Sequence, residues 1–138
     1  MTEIQLLRPA GLVESPAFSH VAIVPPGATM IFIGGQNAVD ENGELVGGAD
    51  AAAQTTKVME NLVTALAAAG AGIEDLVSLT VVLVEGVDVQ AAYAAAAPWF
   101  AGAETPPLVN GLLVSGLGVP GALVEVSAVA AVTRPGAS

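Results

Sequence analysis

Residues 123–132 read Leu-Val-Glu-Val-Ser-Ala-Val-Ala-Ala-Val, a run with no proline or glycine in which both alternating sets of side chains are mostly apolar. Successive side chains of a strand point to opposite faces, so Val124, Val126, Ala128, Ala130 and Val132 share one side while Leu123, Glu125, Ser127, Val129 and Ala131 share the other. A strand of this kind must be covered twice. The rest of the chain has to supply one cover, and a second copy of the chain is the simplest source of the other. Glu125 is the one acid in this long apolar strand.

The remaining segments show what the first cover is made of. Residues 20–24 and 30–34 are short apolar runs separated by Pro25-Pro26-Gly27, the punctuation of two antiparallel strands joined as a hairpin. After Gly34-Gly35 comes Asp40-Glu41-Asn42-Gly43, which is turn chemistry, and then Gly47-Gly48 ahead of a candidate helix cap at Asp50. From 51 to 69 the sequence is alanine-rich, with Thr55, Val58, Met59, Leu62, Leu66 and Ala69 at three- and four-residue spacing on one face of a helix. Gly70 stands where the helix end calls for a left-handed residue. Residues 77–84 read as a buried Val- and Leu-rich strand, 87–100 as a second helix begun near Asp88, and 108–114 and 123–132 as two closing strands. An extra strand near residues 4–7 would raise the total. The order strand, strand, helix, strand, helix, strand, strand makes an α+β sheet of five or six strands with both helices on one face.

The chain has 138 residues, one domain spanning 1–138 on this reading. With 54% hydrophobic residues, 12% charged and a mean hydropathy of +0.72, it has little polar material to cover a free-standing surface. Thirteen acids face only Arg8, Lys57 and Arg134, a formal net charge of -10. Clustered cations that would grip phosphates are missing, which argues against nucleic acid and against an anionic membrane surface. There is no cysteine, so disulfides, thiolate metal sites and cysteine nucleophiles are excluded. One histidine and scattered acids make no metal-ligand set, and Gly34-Gly35 lacks the third glycine and the lysine of a phosphate or dinucleotide loop. Neither a metal nor a cofactor is expected. The uncharged run over 105–124 is broken by Pro106, Pro107 and Pro120, so it is not read as a membrane span. Met-Thr-Glu-Ile at the start has no secretory character, and a cytoplasmic location is the default expectation.

Several motifs in order resemble one family over nearly the whole chain. Phe18-Ser19-His20 is similar to a Tyr-Ser-Gln or Tyr-Ser-His opening, and residues 31–36, Ile-Phe-Ile-Gly-Gly-Gln, to a strand ending in Ser-Gly-Gln. Ala52-Ala53-Gln54 with Asn61-Leu62 and 67–70 resembles the first helix, and residues 120–126, Pro-Gly-Ala-Leu-Val-Glu-Val, the last strand. The family is Rid/YjgF, the reactive intermediate deaminases. The resemblance implies a chorismate-mutase-like fold, a homotrimer with a central barrel, and three clefts between subunits that bind small metabolites.

Most of the cleft positions that the resemblance assigns have changed. The ring hydroxyl of the opening motif is missing at Phe18, the serine of the strand end is Gly34, and a position that is often asparagine becomes Tyr93. The deaminases' arginine falls on Val109 and a frequent cysteine on Gly111. An arginine fork holds a carboxylate through two parallel hydrogen bonds, and a valine holds none. Neither Arg8 nor Arg134 lies in a segment matching the cleft. Glu125 is the retained cleft residue, and a carboxyl surrounded by Leu, Val and Gly would have its pKa raised by desolvation and could serve as acid or base. Its competing role is structural, held by backbone donors.

Other polar residues carry the same two readings. His20 could shuttle protons or be an ordinary strand residue, Tyr93 could offer its phenol or pack its helix, and Asn110 faces away from Val109. The sequence thus points to a divergent member that binds, and hydrolyses or deaminates, a small and largely apolar or cationic metabolite without a standard 2-imino acid's carboxylate anchor. A non-catalytic ligand-binding or regulatory trimer is the alternative. A ribonuclease or translation inhibitor, a role attached to the family, sits poorly with the acidic balance.

Overall fold

A computed structural model of the chain describes residues 3–103 and 105–133. Strands β1 (Gln5–Leu7), β2 (Val21–Ile23) and β3 (Thr29–Gln36) precede helix α1 (Ala51–Ala68), then come β4 (Leu76–Val84), helix α2 (Val89–Ala96), β5 (Leu108–Val114) and β6 (Val124–Val132). The main sheet has four strands in the order β3-β6-β4-β5, with β6 antiparallel to both neighbours and β4 parallel to β5. Both helices pack on one face of it, which is the expected α+β arrangement.

The strands divide differently from the sequence reading. Among the described residues six strands form, but β1 and β2 pair only with each other, as a separate antiparallel ribbon. The hairpin expected between residues 20–24 and 30–34 is absent, since β3 pairs with β6 instead. A turn does close there, with the Ala28 N–H donating to the Pro25 carbonyl at 3.4 Å, but Pro25 and Pro26 have no N–H to carry a ladder on from it, and β6 offers β3 a partner along almost its whole length. The second helix is also shorter than 87–100. Its α-helical part stops at Ala96 and a 3-10 turn covers Ala97–Phe100, because Pro98 cannot donate to the carbonyl four residues back.

Helix α1 forms where its composition and caps direct. The Asp50 carboxylate accepts from the backbone N–H of Ala52 and Ala53, and Gly70 takes φ of 75° just past the end. Its buried face carries Val58, Met59, Leu62 and Leu66 onto Val124, Val126, Ala128 and Ala130 of β6 and Leu76, Leu79 and Leu83 of β4. Ala69, expected on that face, is exposed at the cap. The inward set of β6 is therefore the one its alternation marks, while Glu125, Ser127 and Val129 stay half-exposed on the other side.

From Glu125 to Val129 that other side has no cover among the described residues, although Ala131 beyond them is buried. Register places Leu108, Ser78, Val129 and Phe32 in one row across the sheet, Asn110, Thr80 and Ser127 in the next, and Leu112, Val82 and Glu125 in a third. Phe32 is 75% exposed there, and Met30 and Leu112 are exposed beside it.

Candidate functional site

Two groups of residues on opposite faces of the main sheet make up the candidate site. On the helix face a cavity of about 490 Å³ opens between α2, β5 and the sheet. Its rim is exposed and includes Val89, Tyr93 and Val109, whereas Met59, Leu79, Ala92, Val124 and Val126 line its buried inner wall. The space exists because α2 reads Val-Gln-Ala-Ala-Tyr-Ala-Ala-Ala, whose small side chains leave the sheet underneath unfilled, and because Gly111 adds none from β5. No charged side chain lines it among the described residues.

The second group lies through the sheet. Val124 and Val126 face the cavity, so Glu125 between them faces the uncovered side. Its carboxyl lies over the backbone of β3 at Gly35. A Cβ on Gly35 would stand 2.7 Å from the carboxyl carbon, closer than real contacts allow, so the missing side chain is what admits the carboxylate. The pairing of β3 with β6 shifts register between Ile33 and Gln36, and this bulge turns Gly34-Gly35 away from the regular ladder. Gly34 faces open space.

A chain of amide hydrogen bonds from α1 fixes the strand that carries Glu125. Gln54 is fully buried, and its Oε1 accepts from the Leu123 N–H at 2.8 Å while its Nε2 donates to the carbonyls of Gly48 and Gly121 at 2.6 and 3.0 Å. Asn61 donates to the carbonyls of Asn37 and Val39, both at 2.9 Å, and Asn37 donates in turn to the Val124 carbonyl at 3.1 Å. Both residues next to Glu125 on its N-terminal side are thus held by side chains. Leaving the buried Gln54 amide without these partners would cost about 1–3 kcal/mol, and the half-buried Asn37 and Asn61 add to it, so the register of β6 against α1 and β3 is strongly specified. Gln54 and Asn61, part of the helix pattern that carried the family resemblance, have this positioning role.

The other sequence-selected residues fall as follows. Tyr93, Val109 and Gly111 come together on the cavity, with Tyr93 58% exposed at its rim. Phe18 sits next to that cavity's wall residues Pro16 and Ala17, with its ring edge-on to His20 at 5.4 Å. His20 Nε2 meets the Val13 carbonyl at 2.7 Å, an acceptor, so that nitrogen carries the proton and ties down the preceding loop. Ser19, buried between these two, donates to the Pro106 carbonyl at 2.6 Å and docks the segment on the start of β5. Asn110 faces away from Val109, in the row with Thr80 and Ser127. Arg8 donates to the Ser15 carbonyl at 3.3 Å and does not line the cavity, while Arg134 lies outside the described residues. Within one chain, then, Glu125 and Gly34 are not brought to Tyr93, Val109 and Gly111.

Sequence reading missed Thr55 as a cavity residue. It placed Thr55 on the buried face of α1 as packing, and the residue is indeed buried, but its hydroxyl has no hydrogen-bond partner and it lines the cavity. A hydroxyl among the valines and leucines of a helix's core face was the one signal available.

The fold agrees with the comparisons. The model of the endoribonuclease L-PSP family matches residues 12–132, and the chain belongs to that family, the Rid/YjgF proteins. It is similar to the Rid-family protein of unknown function YyfB from Yersinia pestis, at 33% identity over 92% of this chain and 97% of that one, with a TM-score of 0.81. A protein of unknown function from Pseudomonas aeruginosa is 29% identical over 100% and 99% of the two chains, TM-score 0.65. The YjgF gene product of E. coli is 28% identical over 80% and 85%, TM-score 0.67. Among the described residues no helix is long and apolar enough to cross a membrane.

Proposed function

We propose that three copies of the chain join through their uncovered sheet faces, and that the clefts between them bind and hydrolyse a small, uncharged imine, enamine or related carbonyl compound. In this reading Glu125 and the Gly34-Gly35 bulge of one subunit meet Tyr93, Val109 and Gly111 of the next. The observation that carries the proposal is the absence of any charged side chain on the cavity wall among the described residues, with Val109 at its rim. A substrate carboxylate entering there would shed its water and find no cation, a cost of several kcal/mol. A neutral molecule pays no such cost.

Glu125 is assigned proton transfer and activation of water, since it is the one ionisable group that adjoins both the bulge and the uncovered face in this site. Ordered donors at the bulge would orient the nitrogen or carbonyl under attack. The family's name includes a ribonuclease activity. RNA is disfavoured as substrate here by a net charge of -10 and by three cations far apart in sequence.

A second reading, a trimer that binds ligand without turning it over, is favoured by one observation: the cavity has Tyr93 as its one accessible side-chain hydroxyl and no acid or base among the described residues. Ammonia release separates the two. Freshly generated 2-iminobutanoate should be a poor substrate, a carboxylate-free imine of similar size a better one by at least about tenfold, and Glu125→Gln should abolish turnover with the assembly intact. Rapid release from 2-iminobutanoate, or full activity in Glu125→Gln, would sink the catalytic proposal. Saturable binding with no ammonia from either imine would select the second reading.

A further inference from the structure

Gly111 has no backbone reason to be a glycine. Its φ lies outside the left-handed region, and a Cβ placed on it meets nothing within 4 Å, unlike one placed on Gly35. Glycine weakens the interior of a strand, and where it stands in one it often marks the close approach of a ligand. Gly111 pairs with Val81 across the parallel ladder of β4 and β5, and both line the helix-face cavity. A side chain at 111 would therefore point into the mouth that Gly111 shares with Val89, Tyr93 and Val109. What its absence leaves there is space.

Behind that mouth the side chains offer only hydrocarbon. Met59, Leu79, Leu83, Val124 and Val126 form the inner wall, and Thr55 adds no polar atom to it, because its Oγ1 is closed to water. The Tyr93 phenol, 58% exposed, is the one accessible hydroxyl of a lining side chain among the described residues, and it lies at the rim.

We infer that Gly111 sets the size limit of a chamber for the hydrocarbon body of an uncharged ligand, an aryl ring on a short chain. The ring points inward and the ligand's one polar group stays at the mouth beside Tyr93. The volume is about 490 Å³, against ~150 Å³ for a cavity that encloses benzene, so ring and chain fit together. A ring brings its apolar area with fewer rotatable bonds to freeze than an open chain, and Met59 on the inner wall is the residue type whose thioether favours an aromatic edge. A charged group would shed its water against walls that give it no partner. The inference rests on the proposed function, in which Tyr93, Val109 and Gly111 are one half of the cleft. It specifies the part of the substrate that does not react.

The test reads binding rather than turnover, so the two proposals can fail separately. Butan-2-one, 4-phenylbutan-2-one and 4-phenylbutanoate are titrated into the intact protein and followed by the methyl resonances of Met59 and Val126. Wild type should bind the phenyl ketone at least about tenfold more tightly than either of the others. Gly111→Leu should weaken the phenyl ketone by at least about tenfold, and Gly111→Val by less, as the mouth narrows. Both variants should unfold at no lower temperature than wild type and keep its mass in sedimentation, since a side chain suits a strand and has room here. Equal binding of the phenyl ketone by wild type and Gly111→Leu would overturn the inference, as would no preference over butan-2-one or a carboxylate bound as tightly as the ketone. Earlier unfolding of both variants would mean that the glycine serves the backbone, and a loss of mass that a neighbour's side chain fills the chamber. Either result also overturns it. Ring binding without turnover of any imine would sink the catalytic reading and leave this one, whereas turnover of a carboxylate-free imine without ring preference would do the reverse.

Discussion

The two faces of the four-stranded sheet are made by the same strands and have opposite fates. On the helix face Val124, Val126, Ala128 and Ala130 are at most 5% exposed, sealed by α1. On the other face Phe32 is 75% exposed and has no cover among the described residues. Yet the sealed face is the one with a cavity, and the uncovered face carries the one acid of β6. On the proposed function, the difference means that chemistry and binding are split across the sheet. Apolar space is provided where small residues of α2 underfill a covered face, and the carboxylate is provided where the chain leaves its own sheet open. The proposed site, which uses both, would set the edge of one chain against the open face of another.

The largest effect should come from the sealed face. Leu62 is fully buried in the core of α1, β4 and β6, and Leu62→Ala should cost about 2–5 kcal/mol in urea unfolding, from lost burial plus the void left behind. A change below about 1 kcal/mol would mean that helix face is not the rigid half. Next in size is the open face. Phe32→Asp should leave helix content intact but abolish self-association in sedimentation, since a charge cannot be buried unpaired in an apolar interface. Unchanged mass would break the comparison, because the exposed face would then have no role in assembly.

The smallest effect on stability should be at the carboxylate. Gly35→Ala puts a Cβ where the Glu125 carboxyl lies, and the displaced group is the end of a flexible side chain. The cost in stability should stay within about 1 kcal/mol, while turnover of the carboxylate-free imine falls by about tenfold with KM little altered. Equal loss in stability and turnover would instead assign Glu125 a structural role.

Much of the fold was legible in local sequence. The alternation of β6, the spacing along α1, the Asp50 cap and Gly70 were read from residues within a few positions of each other, and all four stand in the structure. The false hairpin of residues 20–24 with 30–34 shows the limit. Both strands were identified, but their partners lie elsewhere: Leu7 and Val21 meet within the ribbon, and Phe32 meets Val129 across the chain. Pattern identifies a strand, and only competition among all strands for edges decides whom it pairs with. The family motifs singled out Tyr93, Val109 and Gly111, which share one cavity, but the cavity itself depends on how far α2 stands from the sheet, and no periodicity reports that distance.

By itself the sequence determined that the last strand is apolar on both sides, that one helix face is apolar, and that valine stands at 109, where the family resemblance places an arginine. These follow from side-chain chemistry and the fixed geometry of helix and strand. Tertiary structure alone decided that Glu125 settles over Gly35, that Gln54 and Asn61 lock β6 in register, and that the Thr55 hydroxyl is buried without a partner. Each of these depends on groups brought together from distant parts of the chain, and their energies exist only once the sheet order has closed the space between them.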